Sequence, residues 1–83
     1  MVPITQSIDT QGLSQHQPFL RAFSAMRKLQ CGDVLMLSTS EPQADDDLQA
    51  FCYRTGFQLI ESVRCEDEYI FLIRRNCTTE QAA

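Results

Sequence analysis

The first regular pattern in the chain is an alternation of apolar and polar side chains over residues 2–8. Its apolar members, Val2, Ile4 and Ile8, fall on one side, which is typical of a half-buried β-strand. Pro3 suits the beginning or the edge of such a strand, because proline cannot donate a ladder hydrogen bond. We therefore predict a first strand over this stretch.

A helical periodicity follows from Pro18 to Leu29. The apolar residues recur every three or four positions and form one stripe: Phe19, Ala22, Phe23, Met26 and Leu29. Pro18 suits the first turn, where no intrahelical partner awaits its missing N–H. Arg27 and Lys28 complement the negative end of the helix, and Gly32 provides a stop. We interpret Phe19, Phe23 and Met26 as core residues.

The next two elements are a strand and a second helix. Asp33–Thr39 contains four consecutive apolar residues, which predict an interior strand because both of its faces are apolar. Asp45, Asp46 and Asp47 then favour the positive end of a helix, and we expect one of them to cap it. This helix has the apolar stripe Leu48, Phe51, Cys52 and Thr55 and ends at Gly56.

Two further strands complete the pattern. Phe57, Leu59 and Val63 mark the third strand, and Tyr69–Ile73 is a continuous apolar run that marks the fourth. The order is β-α-β-α-β-β. It predicts an α/β two-layer sandwich, with both helices on one face of a four-stranded mixed sheet. Crossovers through the helices imply parallel neighbours, and the last two strands form an antiparallel hairpin.

Composition limits the organisation of the chain to one domain. The 83 residues are 43% hydrophobic, and we assign 1–75 to a single domain and 76–83 to a flexible tail. No apolar run reaches the roughly 20 residues of a membrane helix, and no signal segment is present, so we expect a cytoplasmic protein without membrane contact. The net charge of −4 argues against direct nucleic-acid binding.

Several local strings in this order resemble the TusA-like (SirA-like) sulfur-carrier family over residues 8–75. The strings that carry the resemblance are Asp9-Thr10-Gln11-Gly12-Leu13, Gly32-Asp33-Val34, the stretch from Asp47 to Gly56, and Tyr69-Ile70-Phe71-Leu72-Ile73-Arg74-Arg75. The resemblance implies the same α/β sandwich and a place in sulfur relay, such as persulfide transfer for tRNA thiolation.

Members of that family carry Cys-Pro-x-Pro at the start of the first helix, and the cysteine accepts sulfur from a cysteine desulfurase as a persulfide. The matching residues here are Gln15, His16, Gln17 and Pro18, so only the last proline is kept. The resemblance thus implies a sulfurtransferase-like protein without its catalytic cysteine, and we assign no catalytic residue. It also implies a cysteine desulfurase or another sulfur-relay protein as partner.

None of the four cysteines replaces the missing one. Cys31 lies roughly 18 Å from the empty position, at about 1.5 Å per helical residue, and Cys52 belongs to a buried stripe. Cys65 lies in an acidic turn, where a thiolate is disfavoured, and Cys77 lies in the tail. Without a secretory signal we expect free thiols.

Other chemistry is weakly indicated. His16 has no nucleophile or second ligand nearby in sequence, so we assign it a surface or capping role, and we predict no metal and no cofactor. One alternative is a non-catalytic module that binds a protein or small ligand through the surface around His16 and Phe19. Another is a regulatory thiol protein that uses Cys31, Cys65 or Cys77.

Overall fold

The computed structural model describes residues 3–13 and 16–76, and its elements follow the predicted order. They are β1 Gln6–Thr10, α1 Gln17–Lys28, β2 Val34–Thr39, α2 Ala44–Thr55, β3 Gln58–Cys65 and β4 Glu68–Arg74. The main shift concerns the first strand, which begins at Gln6 rather than at residue 2. Ile4 lies before it and is 44% exposed. Among the described residues, no helix is long and apolar enough to cross a membrane.

The four strands form one sheet in the order β1-β2-β4-β3. β1 and β2 are parallel, while β4 is antiparallel to both β2 and β3. The expectation that every helical crossover joins neighbouring strands is therefore wrong for β2 and β3. The reason is that β4 is apolar on both faces and belongs in the interior, whereas β3 is largely exposed and forms an edge.

Both helices pack on one face of this sheet. Alternate residues of the central strands, Leu35 and Leu37 on β2 and Phe71 and Ile73 on β4, are fully buried. They share one apolar cluster with buried residues of both helices: Ala22, Ala25, Met26, Ala44, Leu48, Phe51 and Cys52. The two-layer α/β sandwich predicted from the sequence is confirmed.

Arg75 closes the C-terminal end of α1. Its Nη1 donates to the backbone carbonyls of Met26 (3.0 Å), Arg27 (3.2 Å) and Leu29 (2.6 Å). Its own backbone N–H donates to Asp33 O at 2.9 Å. A guanidinium at the negative end of a helix is stabilising, because the last carbonyls have no intrahelical donors. The residue after β4 thus contacts the end of the first helix in the chain.

The ends of α2 confirm one prediction and correct another. Gly56 has a φ of +83° and donates its N–H to Cys52 O at 2.9 Å, as expected of a glycine that ends a helix. At the other end the capping position is Gln43, and no side chain caps the helix. Asp45, Asp46 and Asp47 lie inside the first turn, where carboxylates favour the positive end without capping it.

Candidate functional site

The start of α1 lies where the apolar pattern predicts it, within one residue. β1 ends at Thr10, whose hydroxyl donates to Ser38 O at 2.6 Å and so ties this end of the strand to β2. His16 occupies the capping position, and Pro18 is buried in the first turn. Gln15 lies outside the described residues. The two described residues before the proline, His16 and Gln17, are both exposed.

His16 joins the starts of the two helices. Its Nδ1 lies 3.3 Å from Asp47 Oδ2, with the imidazole 73% exposed and the carboxylate 21% exposed. The ring does not cap α1, so of the two roles expected for His16 only the surface role is observed. A polar contact this exposed contributes at most about 1 kcal/mol. The contact spans 31 positions in the chain, so no local sequence signal could have found it.

A cleft runs between α1 and α2 from this histidine. It encloses about 410 Å³ and is mostly apolar. We call it the helix cleft and define it by its lining residues: His16, Phe19, Phe23, Asp47, Ala50, Phe51, Arg54 and Thr55. The two residues of the proposed interaction surface, His16 and Phe19, therefore lie in the same cleft. The lining residues that α2 contributes to the cleft were not identified from the sequence.

Three phenylalanine rings form the apolar part of the helix cleft. Phe51 is buried, and its ring meets Phe19 edge-to-face at a centroid distance of 5.3 Å and Phe23 at 5.8 Å. Of the residues predicted to be core, Met26 is fully buried, but Phe23 is 40% exposed. The core interpretation is wrong for Phe23, because α2 covers only part of its ring and leaves the rest facing solvent.

The helix cleft is suited to binding rather than to covalent chemistry. Thr55 carries the one hydroxyl among its lining residues, and that hydroxyl donates to Phe51 O at 2.8 Å. No cysteine of the described residues lines it. Within residues 3–13 and 16–76, no three histidine, cysteine or acidic side chains converge to hold a metal ion.

The described cysteines lie away from the start of α1 or are chemically unsuited to sulfur transfer. Cys52 is buried, and desolvation raises the pKa of its thiol from 9.0 to about 11. Cys65 is an exposed free thiol at the end of β3, on the opposite sheet edge from β1. Three strand spacings of about 4.8 Å separate those edges by roughly 14 Å.

Cys31 departs from the expectation of free thiols. Its sulfur is disulfide-bonded, so in this state Cys31 has no thiol to act as a nucleophile. The expectation is confirmed for Cys52 and Cys65, which are free thiols. Cys77 lies outside the described residues.

Comparison with known proteins gives a consistent result. The family model described as Sulfurtransferase TusA matches residues 6–75. The sulfur carrier protein TusA of Allochromatium vinosum is 32% identical over 76 residues, which cover 92% of this chain and 100% of that protein. The crystal structure of the SirA-like protein from Desulfitobacterium hafniense superposes with a TM-score of 0.77 at 22% identity. That match covers 87% of this chain and 99% of the other.

Proposed function

This chain belongs to the TusA sulfurtransferase family, and on that premise we propose that it engages a sulfur-relay protein without carrying the persulfide itself. The partner would be a cysteine desulfurase or a sulfur acceptor, bound at the start of α1. The proposed unit is the single domain 1–75, acting in the cytoplasm. The net charge of −4 favours a protein partner over a nucleic acid.

The observation that supports this proposal is that the family model matches the chain on both sides of the start of α1. The position that the resemblance assigns to the carrier cysteine holds Gln15. A carrier needs a thiolate, and the amino end of a helix lowers the pKa of a cysteine by placing unpaired N–H groups beside it. A glutamine amide cannot form a persulfide. The motif thus retains the helix start and loses the atom that accepts sulfur.

The described free thiols support a role without sulfur transfer. Burial raises the pKa of the Cys52 thiol to about 11, so it forms even less thiolate at neutral pH than an exposed cysteine does. A protonated thiol is a poor nucleophile. Cys65 is accessible, but it lies on the opposite edge of the sheet from β1 and is not at the motif position.

A restored motif tests the proposal directly. The chain is incubated with a purified cysteine desulfurase and ³⁵S-labelled cysteine, and persulfide on the protein is measured by non-reducing electrophoresis and intact-mass spectrometry. The double variant Gln15→Cys with His16→Pro should acquire label that dithiothreitol removes. The matched variant Gln15→Ser with His16→Pro, and the natural chain, should acquire none at that position.

Each other outcome counts against a defined part of the proposal. Label on the natural chain would show that another cysteine carries sulfur. No label on the restored variant, with a TusA carrier such as that of Allochromatium vinosum labelled in parallel, would show that the scaffold does not engage the desulfurase.

A second candidate function is supported by the helix cleft. An apolar cleft of about 410 Å³ that joins His16 to Arg54 fits a non-catalytic binding module on the same fold. The two functions share one surface, because His16 lies both beside the carrier position and in the cleft. Loss of desulfurase binding on changing His16 alone would connect them.

A further inference from the structure

The charges along the helix cleft are unevenly distributed. Asp47 and His16 pair with each other at the end where both helices start. Arg54 lines the opposite part, and the guanidinium of Arg27 lies 5.7 Å from the centroid of the Phe23 ring at its rim. Neither arginine has a carboxylate partner within the described ranges 3–13 and 16–76. This part of the cleft is therefore locally cationic, although the protein is acidic.

The apolar part of the cleft fits a single ring. The exposed sides of Phe19 and Phe23 face solvent above the buried ring of Phe51. Aromatic rings prefer edge-to-face or offset contacts with centroids about 4.5–7 Å apart, and the three rings present such an arrangement on an open side. Because the cleft is open along its length, a side chain can enter it while the backbone that carries it stays outside.

We propose that the helix cleft binds an acidic segment of a partner protein, which places an aromatic side chain against Phe19 and Phe23 and a neighbouring carboxylate on Arg54. A planar guanidinium matches a carboxylate with two parallel hydrogen bonds. A free phosphate is disfavoured, because it has no apolar group to cover the rings of Phe19 and Phe23 in the same cleft. This inference deepens the proposed interaction role by naming the chemistry of the partner segment.

Blocked tripeptides test the inference. The probe N-acetyl-Glu-Phe-Glu-amide is titrated into ¹⁵N-labelled protein, and amide resonances are followed by NMR. We expect the largest shifts at Phe23, Ala50 and Arg54. The neutral isostere N-acetyl-Gln-Phe-Gln-amide should bind about fivefold more weakly, as should N-acetyl-Glu-Ala-Glu-amide, because one loses the charge pair and the other loses the anchor.

Two variants of the protein test whether Arg54 contacts the carboxylate of the peptide. Arg54→Gln should weaken binding of the acidic probe about fivefold and leave binding of the neutral isostere unaffected. The reason is that this substitution and the replacement of glutamate by glutamine in the peptide remove the same ion pair. Tyr53→Ser is the matched control: Tyr53 is 90% exposed on α2, adjacent in sequence to Arg54, and does not line the cleft. Arg54 is itself exposed, so its loss should leave the fold intact.

The inference is overturned by any of three results. These are equal affinity for the charged and neutral probes, an effect of Arg54→Gln no larger than that of Tyr53→Ser, or no shift at about 10 mM peptide. That concentration is well above the roughly 1 mM dissociation constant expected of one anchored side chain. Labelling of the restored Gln15→Cys variant together with a failed titration would leave the relay role standing and remove only this inference.

Discussion

Removing the guanidinium of Arg75 should destabilise the domain more than removing that of its neighbour Arg74. In Arg75→Met the aliphatic stem is largely kept, while the donors to Met26, Arg27 and Leu29 are lost. The contact of the guanidinium with the Phe57 ring, at 5.9 Å from the centroid, is lost with them. The backbone hydrogen bond from Arg75 N–H to Asp33 O is unaffected by the substitution. The change therefore measures the contribution of the guanidinium, most of whose contacts are with the end of α1.

The expected loss is about 2 kcal/mol. Hydrogen bonds to charged groups contribute roughly 1.5–3 kcal/mol, and a cation at a helix end adds about 0.3–1 kcal/mol. We take the lower part of that sum, because one nitrogen with two hydrogens serves three carbonyls. A domain of this size is stable by roughly 4–12 kcal/mol, so the loss is a sizeable fraction of the total.

Urea unfolding followed by circular dichroism measures this loss. With a slope of about 1 kcal/mol/M for a small domain, the midpoint should fall by about 2 M while the slope stays constant. The midpoint of Arg75→Lys should lie between those of the natural chain and Arg75→Met, because lysine keeps the charge but lacks the planar donor group. The neighbour Arg74 pairs in register with Val34 and Gln58, and no hydrogen bond of its side chain occurs within the described residues. Equal losses in Arg74→Met and Arg75→Met would refute the reasoning.

Two further predictions concern α2. The pKa of Cys52 is raised from 9.0 to about 11 in the folded protein, so the unfolded chain loses this proton first as pH rises. The Cys52 contribution to stability should therefore be constant below about pH 9 and decline towards pH 11. The test is the difference in unfolding free energy between the natural chain and Cys52→Ala over that pH range, and a flat difference would contradict it. Gly56→Ala should cost about 1–2 kcal/mol at 25 °C, because φ is +83° and a Cβ there meets nothing within 4 Å, which leaves backbone strain alone. Gly56→Asn, which tolerates this conformation better, should cost less in the same urea titration.

The elements of the fold could be predicted from apolar spacing because each one buries a single stripe or run. The order of strands in the sheet could also have been found: the continuous apolar run Tyr69–Ile73 needs neighbours on both sides, and the exposed polar residues of Gln58–Cys65 do not. The prediction used chain order instead of this difference. The role of Arg75 could not be found, because its acceptors are backbone carbonyls up to 49 positions away, at Met26, and leave no trace in side-chain pattern.

The candidate site also has one feature that the sequence predicts and one that it does not. The absence of a carrier cysteine at Gln15 is a prediction that the sequence alone allows, because it depends only on which residue stands at the position that the family resemblance assigns to the carrier. The helix cleft is not, because it arises where two helices leave the rings of Phe19 and Phe23 incompletely covered. Whether an aromatic residue of an amphipathic helix is core or cleft wall depends on the neighbouring helix, which periodicity does not specify.

The position of β4 has a consequence for how the chain acquires its structure. β4, the last strand in the described part of the chain, lies between β2 and β3, so until residue 74 has left the ribosome β2 lacks one of its two neighbours and β3 lacks its one neighbour in the described sheet. Contacts this distant in sequence slow folding, since a long loop must close before they form. A nascent chain arrested before Tyr69 would expose two unpaired strand edges and remain vulnerable to proteases. The seven residues of β4 are therefore required to complete the sheet that the preceding elements begin.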